Sequence, residues 1–76
     1  MGSQQQTEAI EAVWFLYSED ELPMGRVYRR EGEPAPAIGL RFRHGDGEAE
    51  VEIAQFRELG PTCLMRRFRV VVRAVL

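Results

Sequence analysis

Apolar and polar residues alternate most cleanly over AIGLRFRHGDGEAEVEI. Ile38, Leu40 and Phe42 alternate with Gly39, Arg41 and Arg43, and Ala49, Val51 and Ile53 alternate with Glu48, Glu50 and Glu52. Strict alternation marks half-buried strands, because successive side chains of a strand point to opposite faces. The HGDG between them predicts a hairpin. A two-residue Gly45-Asp46 loop suits the primed turns, which need positive φ. That loop sets Phe42 against Ala49, Leu40 against Val51 and Ile38 against Ile53. On the other face Arg43 then opposes Glu48 and Arg41 opposes Glu50. A slip of one residue would bury the charges.

The flanking segments are read against this hairpin. TEAIEAVWFLY, residues 7–17, carries a helical alternative: Thr7 suits a cap, and Ile10, Trp14 and Tyr17 share a helical face. The aromatic and apolar run VWFLY favours a buried strand, and that is the expectation adopted. SEDELPMG is loop chemistry. GRVYRRE, residues 25–31, predicts a short strand with Val27 on one face and Arg26, Tyr28 and Arg30 on the other. Pro34 and Pro36 remove two ladder donors, so residues 32–37 form an extended connection. AQFRELGPT, residues 54–62, breaks the alternation and reads as a turn ending at Gly60-Pro61, with room for one turn of 3₁₀ helix.

CLMRRFRVVVRAVL completes the chain and carries its strongest charge pattern. As a helix it places Leu64, Phe68, Val71, Val72 and Val75 opposite Arg66, Arg69 and Arg73, a basic amphipathic arrangement suited to a membrane surface or a groove. As a strand it places Leu64, Phe68, Val70, Val72, Ala74 and Leu76 on one face, with Arg66 the exception. Arg67, Arg69 and Arg73 then share the other face with Cys63, Met65, Val71 and Val75. Three consecutive valines favour the strand, since β-branched side chains lose freedom in a helix and pack well in a sheet. A face mixing arginine with Val71 and Val75 is not a plain solvated surface.

Seventy-six residues make a single small domain, here 7–76, after a polar tail at 1–6. A chain of this size buries about 60% of its unfolded surface, so oligomerisation is a reasonable source of added stability. The net charge of −2 is unevenly spread: residues 1–38 hold seven acids and three arginines, and residues 39–76 hold five acids and seven arginines. Lysine and asparagine are both absent, which fits a GC-rich bacterial or phage genome better than selection for guanidinium chemistry. A lone cysteine and no secretory signal pattern suggest the cytoplasm. No apolar run approaches the ~20 residues of a membrane-spanning helix.

Chemistry is sparse. Cys63 and His44 have no ligand-spaced neighbours, so no metal or cofactor is expected. Glu48, Glu50 and Glu52 read as a solvated face paired with arginines, His44 as an exposed turn residue, and Cys63 as a small buried apolar group. No triad and no phosphate loop is present, and an enzyme is not expected. The fold expected is mainly β: about five antiparallel strands in a small barrel or strongly bent sheet. The last strand, valine-rich and without charge after Arg73, would make a poor edge. The leading functional expectation is a non-catalytic protein-interaction module, an assembly subunit, adaptor or inhibitor, working through a sheet edge or face and self-associating. Arg66, Arg67, Arg69, Arg73, Val71, Val75 and Tyr28, with the acidic Glu19, Asp20 and Glu21, are the candidate partner contacts. The alternative is a nucleic-acid-binding β domain using the strand-borne arginines, opposed by the glutamates on the same sheet face.

Overall fold

The computed structural model describes residues 10–60 and 65–75. Five strands form one sheet: β1 (Ile10–Tyr17), β2 (Pro23–Arg30), β3 (Arg41–His44), β4 (Ala49–Glu58) and β5 (Arg66–Ala74). Their order across the sheet is β2-β1-β5-β4-β3. The expected β fold of about five strands is present, curled into a half-barrel. The described part of the first segment is strand, and residues 7–9 lie outside the described residues.

Two features of the topology correct the sequence reading. β5 is not an edge; it lies between β1 and β4. It also runs parallel to β1, with Trp14 beside Phe68 and Leu16 beside Val70, so the sheet is mixed rather than wholly antiparallel. Central placement pairs the valine run on both sides, with Val70 and Val72 buried on one face and Val71 half-buried on the other. The edges fall instead to β2, which opens on Pro23, and to the four-residue β3. A proline and a short strand are ordinary ways to blunt an edge.

The central hairpin forms, but its register is displaced by two residues. Phe42 pairs with Val51, Arg43 with Glu50 and Arg41 with Glu52. The loop is therefore Gly45 to Glu48, closed by the Glu48 amide donating to the Gly45 carbonyl at 2.9 Å, with positive φ at Gly45 (91°) and Glu48 (51°). A two-residue slide leaves every side chain on its face. It brings the larger Val51 against Phe42 in place of Ala49. Ile38 consequently leaves the expected core position for a turn, where it is 72% exposed.

β4 also runs further than expected, through the segment read as a turn as far as Glu58. A bulge explains why the alternation breaks. Ile53 pairs with Val72 and Gln55 with Val71, leaving Ala54 unmatched. One extra residue inverts the facing of all that follows. Phe56 then lies beside Val70, and Arg57 beside Arg69. Pro61, Thr62, Cys63 and Leu64 lie outside the described residues.

The inner face of the curl holds the core. Ala12, Trp14, Leu16, Val51, Ile53, Phe68, Val70 and Val72 are buried together, with Val27, Leu40 and Phe42 packed against them. Trp14 of β1 meets Phe42 of β3 edge-to-face at 5.6 Å, although three strand positions separate them in the sheet. The rings thus join opposite sides of the curl. Each fully buried Leu, Ile, Val or Phe of this core contributes about 1.5–3 kcal/mol. The seam between the two edges is also bridged by polar contact. A second bulge leaves Met24 unmatched opposite β1, and the Met24 carbonyl accepts a hydrogen bond from His44 Nε2 at 2.8 Å. A carbonyl only accepts, so Nε2 carries the proton. His44 is therefore half-buried and engaged, not simply an exposed turn residue. Gly25, next to the bulge, takes φ +102°, and a Cβ there would stand 3.4 Å from the His44 ring.

Candidate functional site

The outer face of the sheet collects the charged chemistry. Strand alternation turns every arginine outward except Arg29 on β2 and Arg66 on β5. Those two line the inner face, where Arg29 stacks over Trp14 at 4.4 Å and Arg66 over Phe68 at 5.1 Å. Arg66 is held there by two hydrogen bonds to Glu58, of 2.8 and 2.9 Å. The Arg66 guanidinium also holds the Glu58 carboxyl below the ordinary carboxylate range. Of the candidate contacts, Arg66 is therefore separated from Arg67, Arg69 and Arg73 by the thickness of the sheet.

The outer face is apolar beneath its charge. Val13 is only 4% exposed, and Phe15, Tyr17 and Val71 are half-buried. Guanidinium planes cover the rings: Arg26 lies over Phe15 at 5.3 Å and Arg69 over Tyr17 at 4.4 Å. Such stacking suits arginine, whose flat, weakly hydrated cation covers aromatic surface without a full desolvation penalty. Arg26 Nη1 also donates to the Tyr28 hydroxyl at 3.3 Å, and Tyr28 remains 46% exposed. Arg67 donates from Nη2 to the Gly60 carbonyl at 3.1 Å, while its buried Nε has no partner. Val75 lies just past the end of β5, its amide bonded to the Glu50 carbonyl.

Charges across the strands divide this face in two. Toward β3, acids and bases alternate: Arg41 pairs with Glu52 at 3.6 Å, and Glu52 sits beside Arg73 in the β4–β5 register. The glutamates of β4 thus face arginines, as the alternation implied. Toward the middle of β5 the pattern fails. Beyond the Ala54 bulge, Arg57 stands directly opposite Arg69. Like charges in directly opposed positions destabilise a ladder, and Arg57 has no ion-pair partner among the described residues.

The acidic loop answers part of that charge. Ser18 organises it: its hydroxyl accepts from the amides of Asp20 and Leu22, and its carbonyl accepts from the Glu21 amide at 2.8 Å. Glu21 takes a left-handed φ of 69°. So placed, Glu21 approaches Arg69 at 3.9 Å and Glu19 approaches Arg73 at 3.7 Å. Asp20 is exposed in the turn. Between loop and sheet lies a cleft of about 280 Å³ lined by Glu19, Glu21, Ala54, Gln55, Arg69, Val71 and Arg73.

Five of the residues singled out from the sequence thus meet at one place: Arg69, Val71, Arg73, Glu19 and Glu21. The sequence reading assigned both charge signs to an outside partner, whereas the fold pairs them with each other. It missed Ala54 and Gln55, whose only signal was the broken alternation. A second, apolar cavity of about 540 Å³ opens at the mouth of the half-barrel among Met24, His44, Ala49, Val51, Val72 and Ala74. Among the described residues no group of three or more His, Cys, Asp or Glu is placed to hold a metal ion, and no helix is long and apolar enough to cross a membrane. Comparison of the chain with protein families, with curated proteins and with solved structures gave no match, so the geometry of the outer face carries the functional reading.

Proposed function

We propose that the chain is a non-catalytic protein-interaction module that binds through the outer face of its sheet, in its simplest form to a second copy of itself in the cytoplasm. The observation that carries this reading is the composition of that face: Phe15 and Tyr17 lie half-buried under arginines, with a half-buried Val71 and an exposed Tyr28 on the same face. Tyrosine and arginine over a partly desolvated floor are the residue types that dominate binding energy at protein interfaces. Use of the face, rather than the edge of the last strand, follows from the central position of β5.

Nucleic acid is the second reading. Arginines interleaved with aromatic residues on a sheet favour it. Glu50, Glu52, Glu19 and Glu21 oppose it, because they stand beside the arginines that phosphates would need. Light scattering coupled to size exclusion, at low and high salt, separates the two. The interaction reading expects an oligomer at both salts that weakens in Y28A and R67Q. A monomer that binds single-stranded oligonucleotide, with affinity falling steeply as salt rises, overturns it in favour of nucleic acid.

A further inference from the structure

We infer that the cleft between the 18–22 loop and β5 is a recognition site for an extended acidic segment of a partner protein, and that Glu19 and Glu21 occupy it as a built-in mimic of that segment. The inference rests on the interaction reading above and names the chemistry of its ligand. Three observations converge on it. Arg57 and Arg69 oppose each other across β4 and β5, an arrangement that is unfavourable unless an anion joins them. Glu21 supplies only part of that anion, from 3.9 Å, and Glu19 serves Arg73 from 3.7 Å. These distances are long for charge-assisted hydrogen bonds, which close to about 2.7–2.9 Å.

The loop carboxylates are also loosely held. Glu21 is 78% exposed in its side chain against 28% for its partner Arg69, and Glu19 is 58% exposed against 51% for Arg73. Arg69 is seated on the Tyr17 ring beneath it, whereas most of the Glu21 side chain faces solvent. A competitor has only weak, solvent-screened pairs to displace. The bulge at Ala54 bends β4 locally and contributes Gln55 to the cleft, adding an amide that both donates and accepts.

The floor selects the class of ligand. Arg69 and Arg73 lie four residues apart on one strand face, about 13 Å along the chain, with Val71 between them. An extended segment that carries acid, apolar and acid side chains at alternate residues, and so on one face, matches that order. A phosphate backbone has no apolar side chain to place on Val71.

The test is fluorescence anisotropy with a labelled Glu-Ser-Val-Ser-Glu peptide, which sets acid, apolar and acid side chains on one face when extended, its Lys-Ser-Val-Ser-Lys counterpart and a single-stranded oligothymidine. The unmodified protein binds the acidic peptide weakly, and E19Q/E21Q binds it several-fold more tightly, up to about thirtyfold if each pair contributes the upper end of a surface ion pair. R69Q/R73Q abolishes binding, and the basic peptide does not bind. The emission of Trp14 confirms that each variant is folded. In the unmodified protein, the side-chain carboxyl NMR shifts of Glu19 and Glu21 move together with peptide occupancy. Binding that E19Q/E21Q does not tighten, or that survives R69Q/R73Q, overturns the inference, as does tighter binding of the oligothymidine by E19Q/E21Q. The oligomer measured by light scattering does not depend on this outcome, so the inference can fail while the interaction reading stands.

Discussion

Removing the Phe42 ring tests how the curl is held. Trp14 and Phe42 join β1 to β3 across the inner face, at 5.6 Å and an interplanar angle of 72°. Truncating a fully buried Phe to Ala destabilises by about 3–5 kcal/mol. Phe42 is only partly buried, so about half of that, ~2 kcal/mol, is expected for F42A. Of this, about 0.5–1.5 kcal/mol belongs to the edge-to-face contact itself, and F42L, which keeps apolar bulk, should lose about that part alone. For a domain of this size ~2 kcal/mol lowers Tm by roughly 8–16 °C. The assay is urea unfolding followed by Trp14, the chain's single tryptophan, only 1% exposed in the folded state. F42A should also shift its native emission to the red, because loss of the ring opens the indole to water. Y28A, truncating an aromatic on the outer face, should change stability by no more than about 0.5 kcal/mol. Equal losses in F42A and Y28A, with native emission unmoved, would refute the view that these rings hold the two sides of the curl together.

Two further outcomes follow from local geometry. G25A should destabilise by about 1–3 kcal/mol, because φ +102° is closed to an ordinary side chain; H44A should lose about 0.5–1.5 kcal/mol for its hydrogen bond, and a double-mutant cycle should leave most of the G25A loss intact, since its cause is the backbone rather than the imidazole. Glu58 has its carboxyl pKa lowered by the Arg66 hydrogen bonds, so the stability it contributes is complete above the ordinary value of 4.5 and is lost as pH falls through the lower folded-state value; Tm measured against pH should therefore fall more steeply below 4.5 in the unmodified protein than in E58Q.

Much of this fold is legible because alternation is a local signal. The faces of β2, β3, β5 and the first half of β4 follow directly from it. Its limits are just as physical. A pleat of period two fixes which face a residue occupies, but any even slide satisfies it, so agreement of both faces in the hairpin did not determine the register. Gly45 and Glu48 did, by taking the positive φ angles of a four-residue loop. The turn expected at 54–62 arose from the same source. A single unmatched residue, Ala54, inverts the phase, and inverted phase in sequence resembles the end of a strand. The position of β5 was not legible at all, because pairing with β1 joins residues more than fifty positions apart and leaves no trace in either segment. The candidate site inherits both limits: its arginines and acids were visible separately, and only the approach of the 18–22 loop to β5 brings them together.

The parallel pairing of β1 with β5 has a consequence for the order in which the molecule is made. β1 with β2, and β3 with β4, are hairpins whose partners emerge from the ribosome one after the other, and each closes a short loop. Neither hairpin pairs with the other; β5 stands between them and bonds to both. It is also the last of the five strands to be synthesised. Until it arrives, Trp14, Leu16, Val51 and Ile53 lack the Phe68, Val70 and Val72 that bury them. The nascent chain is therefore two ribbons with exposed apolar faces, and the sheet closes in one late, non-local step. A chain cut short before Arg66 retains four of its five strands and has no sheet that unites them.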